Sequence, residues 1–116
     1  MRPSDTMIKR AECYSKGDYE GVFSLYSPRS EFRMFFLNKE LYVEHAVNFQ
    51  SKQSKFVNLT IVSEKERGNI AEVRFIEHFI EDAACETHVR YFTSATLVNE
   101  DGRWRILKEK REVGER

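Results

Sequence analysis

The feature that most constrains the fold of this chain is the run from Val89 to Val113. Its apolar positions, Val89, Tyr91, Ala95 and Leu97 and then Trp104 and Ile106, recur with a period of two. That period puts alternate side chains on one face of a sheet. Between the two halves, Asn99-Glu100-Asp101-Gly102 supplies the residue types that a tight turn demands. The run therefore predicts two long antiparallel strands closed by a hairpin.

The same period appears upstream. Phe56 to Arg67 reads as a strand with Val57, Leu59 and Ile61 on one face, and Gly68-Asn69 reads as a turn. Ile70 to Glu81 reads as the next strand. Its apolar phase slips: Ala71, Val73 and Phe75 share one face, while Ile76 and Ile80 share the other. Such a slip marks a bulge or a strand buried on both sides. Asp82-Ala83-Ala84 then connects to a strand from Cys85 to Asn99.

The first half has helical spacing. Ser4 or Asp5 is positioned to cap a first helix, whose stripe is Met7, Ile8, Ala11 and Tyr14. Gly17 suits the left-handed residue that ends it. Asp18 caps a second helix with Val22, Leu25 and Tyr26 on its apolar face and Phe23 beside them. Ser27-Pro28 stops it, because a proline pushes its predecessor out of the helical region. Glu31 to Phe36 is short, aromatic and strand-like. Asn38 caps a third helix, in which Leu41, His45 and Phe49 recur every four residues, and the polar stretch Gln50 to Lys55 ends it. Helices first and strands after them predict an α+β fold with a mostly antiparallel sheet. The length of the last strands suits a strongly curved sheet wrapped about three N-terminal helices.

Composition narrows the function classes. A length of 116 residues suits one domain, 1–116, with one core. Lys plus Arg and Asp plus Glu both number 19, so the formal charge is zero. A zero balance argues against nucleic acid and against anionic membrane surfaces as partners. No window approaches the ~20 apolar residues of a membrane span. Met1-Arg2-Pro3-Ser4-Asp5 has no apolar leader, so the expected location is cytoplasmic. Cys13 and Cys85 have no metal or redox spacing and read as reduced thiols. No nucleotide loop, nucleophile elbow or metal-ligand spacing occurs, so no metal and no cofactor are expected.

Three segments, taken in order, carry a resemblance: the helix junction Gly17-Asp18-Tyr19-Glu20-Gly21-Val22-Phe23-Ser24-Leu25-Tyr26, the Phe32 segment after Pro28, and the Asn99 to Ile106 hairpin with its Gly-Arg-Trp-Arg-Ile. Together they resemble the nuclear transport factor 2-like superfamily, which includes ketosteroid isomerases and polyketide cyclases. The resemblance implies a conical, cystatin-like roll whose open end admits a small apolar or amphipathic ligand. It also implies homodimerisation through the outer sheet face. It does not carry the isomerase chemistry. The positions of that enzyme's base, tyrosine and oxyanion acid fall on Met34, Arg10 and near Ser94. The paired histidines of the dehydratase branch have no fixed counterpart among His45, His78 and His88.

Candidate site residues follow from period and register. Tyr14, on the buried stripe of the first helix, is a cavity hydroxyl or a core tyrosine. Phe32 and Arg33 stand at the mouth, Arg33 as an anion ligand or a surface ion pair. Tyr91, Thr93 and Trp104 face inward, and a strict period of two carries Lys108 and Lys110 to the same face. Those lysines hold an anion at the mouth, or their charged run splays into solvent. His78 is a candidate general base or a packed histidine. Glu77 is the inward carboxylate if a bulge reverses the phase. Phe92, Thr96, Val98 and Leu107 form an outer face that favours a homodimer. Three functions are weighed: a small-molecule-binding protein without catalysis of its own; an isomerase-, dehydratase- or cyclase-type enzyme acting on an apolar carbonyl compound through His78, Glu77, Tyr14 and Lys108; and a protein-interaction module using the outer sheet. The first is preferred.

Overall fold

A computed structural model describes residues 1–50, 54–82 and 86–114. Four α-helices lead: α1 (Pro3–Lys16), α2 (Tyr19–Ser24), α3 (Glu31–Phe35) and α4 (Lys39–His45), with a π-helical turn over Ala46–Gln50. Four strands follow: β1 (Lys55–Arg67), β2 (Ile70–Asp82), β3 (Thr87–Glu100) and β4 (Arg103–Val113). They pair antiparallel in the order β1-β2-β3-β4. The helices cover one face of this sheet. The core lies between, with Met7, Val22 and Phe23 meeting Val73, Phe75, Leu97 and Ile106.

The local signals explain these boundaries. Pro3 opens α1 at the first helical position, where its missing N–H is harmless. The residue before the helix is Arg2, not Ser4 or Asp5 as the sequence suggested; the Asp5 carboxylate instead reaches back to the Arg2 N–H at 2.9 Å. Gly17 ends α1 in the left-handed conformation at φ 67°. Asp18 caps α2 by accepting from the Gly21 N–H at 2.9 Å. Asp101 and Gly102 both have positive φ, 54° and 81°, as a two-residue hairpin turn requires. The chain leaving α2 docks on β4: Ile106 donates to Leu25 O at 2.9 Å and Ser27 donates to Ile106 O at 2.8 Å.

Four expectations are corrected. Glu31 to Phe36 is the helix α3 and its cap, not a strand, because Ser30 accepts from the Arg33 N–H and caps a helical turn. The buried side of α4 is Tyr42 and Ala46, while Leu41 and His45 are exposed. Ile8 points outward at 42% exposure, and Arg10 takes an inward place on α1 instead. The phase of β2 does not slip: Ala71, Val73, Phe75, Glu77 and Phe79 are all buried in strict alternation. The bulges lie at Val57 and Val62 of β1, at Glu81 near the end of β2 and at Leu107 of β4. Each inserts one residue and bends its strand. Asp82, expected to open a connection, ends β2; Ala83, Ala84, Cys85, residues 51–53 of the polar stretch and the Phe49 side chain lie outside what is described.

Candidate functional site

Period two on β2 sends Glu77 and Phe79 toward the helices, and on β3 it sends Val89, Tyr91 and Thr93 the same way. On β4 the Leu107 bulge changes the phase. Leu97 still pairs with Ile106, but Ala95 pairs with Glu109 and Thr93 with Arg111. Glu109 and Arg111 therefore take the inward positions, and Lys108 and Lys110 turn outward and are exposed. From α1, Arg10 enters the same space and is 1% exposed.

These side chains form one ionic cluster, buried at Arg10 and Glu77 and reaching solvent at Glu109 and Arg111, whose side chains are 22% and 42% exposed. Arg10 donates from Nη1 to Glu109 Oε1 at 2.5 Å and to the Tyr26 hydroxyl at 2.6 Å, and from Nη2 to Glu77 Oε1 at 3.3 Å. Arg111 donates from Nη2 to the same Glu77 oxygen at 2.9 Å. The Tyr26 hydroxyl donates to Glu109 Oε2 at 2.8 Å. Two guanidiniums and two carboxylates thus offset one another where unpaired charges would be very unfavourable.

Above the cluster opens a cavity of about 290 Å³. Its helix wall is aromatic: Tyr14, Tyr26, Phe32, Phe36 and Tyr42. Its sheet wall is Phe79 and Tyr91, with Glu109 and Arg111 beside them. Glu81 and His45 stand at the exposed rim. The rings brace one another. Phe32 stacks on Tyr26 with centroids 3.8 Å apart, and its edge meets Tyr42 at 4.9 Å. The Arg111 guanidinium lies 4.7 Å from the Tyr91 ring centroid, a cation–π contact. The Tyr91 hydroxyl donates to Glu81.

Protonation follows from these contacts. Burial pushes the Glu109 carboxyl up, but the Arg10 charge and the hydrogen bonds from Tyr26 and Arg10 outweigh it and hold its pKa below the ordinary value. Burial pushes the Tyr14, Tyr26 and Tyr42 phenols up, against the opposing pull of Arg10. At neutral pH Glu109 is an anion and the three phenols are hydrogen-bond donors. A general base works best with its pKa near the operating pH, and Glu109 is shifted away from it.

The candidate residues separate into three groups. Tyr14, Phe32 and Tyr91 line the cavity, and Glu77 lies in the cluster beneath it. Trp104 lines a different and larger cleft of about 560 Å³, outside α1, with Ile8, Leu25, Arg103 and Arg105. Thr93 is buried with no hydrogen-bond partner for its hydroxyl among the described residues. Arg33 turns back over the Phe23 ring at 4.2 Å and toward Tyr26 O at 3.5 Å. Lys108 faces away because of the bulge. His78 lies on the outer face, with its Nε2 2.8 Å from Nδ1 of His88. Sequence reasoning missed Arg10, Tyr26, Glu109 and Arg111 as one group. Arg10 sits on the face that also carries Met7 and Tyr14, and an arginine in an apolar stripe was the available signal. Among the described residues no cluster of three or more His, Cys, Asp or Glu is arranged to hold a metal, and no helix is long and apolar enough to cross a membrane.

No protein-family model and no curated protein sequence matches the chain. Solved structures do. A SEC-C motif containing protein from Rhodopseudomonas palustris is 17% identical, with a TM-score of 0.71 over 90% of this chain and 74% of that one. A domain of unknown function with a cystatin-like fold from Nostoc punctiforme is 10% identical, with a TM-score of 0.69 over 92% of this chain and 72% of that one. A nuclear transport factor 2-like protein of unknown function from Pseudomonas putida is 11% identical, with a TM-score of 0.64 over 93% of this chain and 81% of that one. At such identities the likeness speaks for architecture alone: this chain has the cystatin-like α+β fold of the nuclear transport factor 2-like proteins.

Proposed function

We propose that the chain binds a small, largely apolar organic molecule in the aromatic cavity and has no catalytic cycle of its own. The observation that carries this reading is the pairing of a ring-lined hollow with a charge cluster already satisfied internally. Apolar walls supply the burial energy, roughly 25 cal/mol for each Å² removed from water. Glu109, a carboxylate in the cavity wall, spends its acceptors on Arg10 and Tyr26. That arrangement supports a rigid floor rather than a proton acceptor. His78, the histidine considered as a base, lies across the sheet from the cavity.

The test is an isotope-labelled NMR titration with 2-naphthol, a neutral aromatic probe. The expected result is a set of saturable shifts at amides around Tyr14, Phe36 and Tyr91. Shifts confined to the Trp104 cleft, or none at the solubility limit of the probe, would overturn the reading.

We also propose that the protein forms a homodimer through the outer face of the sheet. Val62 on β1 and Phe92 on β3 are 59% and 45% exposed there. Ile76 and Ile80 of β2 share that face and are partly buried.

A further inference from the structure

We propose that the ligand of the aromatic cavity is an organic cation, an alkylammonium attached to an apolar or aromatic body. This rests on the binding reading above and adds the charge of the ligand to it. Three observations lead to it.

The first is the charge balance. The walls and floor carry three carboxylates, Glu77, Glu81 and Glu109, against two guanidiniums, Arg10 and Arg111. Arg10 is matched to Glu109 and Arg111 to Glu77. Glu81 is left over: among the described residues no ion pair reaches it, and its bond is the one donated by the neutral Tyr91 hydroxyl. The cavity therefore holds one uncompensated negative charge at its mouth, which disfavours anionic ligands and favours cationic ones.

The second is the lining. Ring faces carry negative electrostatic potential and attract cations without needing a matched donor or acceptor. Phe79 and Tyr91 flank the Glu81 end, and Phe32, Phe36 and Tyr42 close the other side. An ammonium group against Tyr91 and Glu81 would meet a ring and a carboxylate together, and its apolar body would lie along the remaining rings.

The third is Arg111. The protein already lays a cation of its own on this surface: the guanidinium sits 4.7 Å from the Tyr91 centroid and 6.0 Å from that of Phe79. Its charge is offset by Glu77 at 2.9 Å, so it does not cancel Glu81.

Three probes of similar size test the proposal by NMR titration of the whole protein: benzyltrimethylammonium, neutral benzyl alcohol and anionic phenylacetate. The ammonium is expected to bind about tenfold tighter than benzyl alcohol, as one desolvated cation–π contact predicts, and phenylacetate weakest. Glu81→Gln, at an exposed position that leaves the fold intact by its own spectrum, should abolish the preference. Glu72→Gln, on the opposite face, should leave it unchanged. Equal affinity for the ammonium and benzyl alcohol, or a preference that survives Glu81→Gln, would overturn this inference and leave the binding reading standing. Failure of all three probes to bind would overturn both.

Discussion

Arg10 holds a full charge at 1% exposure. Burial alone would lower its pKa; Glu109, then Tyr14, Tyr26 and Glu77, more than reverse that and keep the guanidinium charged. Removing Arg10 leaves Glu109 without its offsetting charge, while Glu77 keeps Arg111 at 2.9 Å. Arg10→Met is therefore expected to destabilise the fold by about 3–5 kcal/mol at neutral pH, measured by urea unfolding. The sign of its pH dependence follows from Glu109. Its folded pKa lies below the unfolded value of 4.5, so the stability it contributes is present above that pH and is lost as pH falls through the folded pKa. The penalty of Arg10→Met should shrink toward pH 4 and below, where the stranded Glu109 carboxyl protonates. A penalty unchanged by acid would mean that the loss is one of packing alone.

His78 makes the opposite face sensitive to acid. Partial burial, then Arg90, then His88 hold its pKa below 6.5. Protonating His78 places a cation beside Arg90 and against the His88 ring, whose Nδ1 lies 2.8 Å away. A lowered histidine pKa means that the unfolded chain takes up protons first. The contribution of the pair is full above about pH 6.5 and declines as pH falls below it. His78→Gln should flatten the fall in stability between about pH 6.5 and 5. An unchanged slope would assign the acid sensitivity to other groups.

At the scale of elements, the Leu107 bulge decides which charges face the cavity. Without it Lys108 and Lys110 would point inward, as a strict period of two predicts; with it Glu109 and Arg111 do. Lys108→Ala is thus expected to change stability by no more than about 0.5 kcal/mol, as for an ordinary exposed site. Glu109→Ala, which strands Arg10, should lose about 2 kcal/mol or more. Equal losses in thermal unfolding would contradict the register.

The α1–α2 junction is as exacting. A Cβ on Gly21 would lie 2.5 Å from Asp18 Oδ2 and 2.7 Å from Cys13 Sγ, so Gly21→Ala should cost about 1–2 kcal/mol by displacing the Asp18 cap. A neutral outcome by urea unfolding would show that the cap yields freely. Such local signals were legible in the sequence: Gly17, Asp18, Asn38 and the Asp101-Gly102 turn each act through their own backbone. The α3 helix was not, because five residues rich in aromatics satisfy strand and helix patterns alike and the deciding group is the hydroxyl of Ser30. The cavity was half legible. Tyr14, Phe32 and Tyr91 follow from periodicity, whereas Glu109 and Arg111 depend on a bulge set by tertiary pairing, which has no local signature.

For the whole molecule, the outer face of the sheet poses the remaining question of what covers it. Phe92 stands opposite Ile76 on β2 and Glu112 on β4, with Val62 exposed on β1. A chain with equal numbers of acidic and basic residues has no net repulsion between copies. A stable pair needs roughly 800 Å² from each partner, and strands of 11 to 14 residues, about 3.3 Å per residue, offer a face long enough for it. Phe92→Glu would place a carboxylate at the centre of that contact and, in a twofold arrangement, close to its own copy. The expected outcome is a dimer by sedimentation velocity for the parent chain and a monomer for Phe92→Glu. The cavity lies on the other side of the sheet, so the monomer should still show saturable 2-naphthol shifts. A parent chain that sediments as a monomer at all concentrations would exclude the dimer, and a Phe92→Glu variant that remains paired would move the interface off this face.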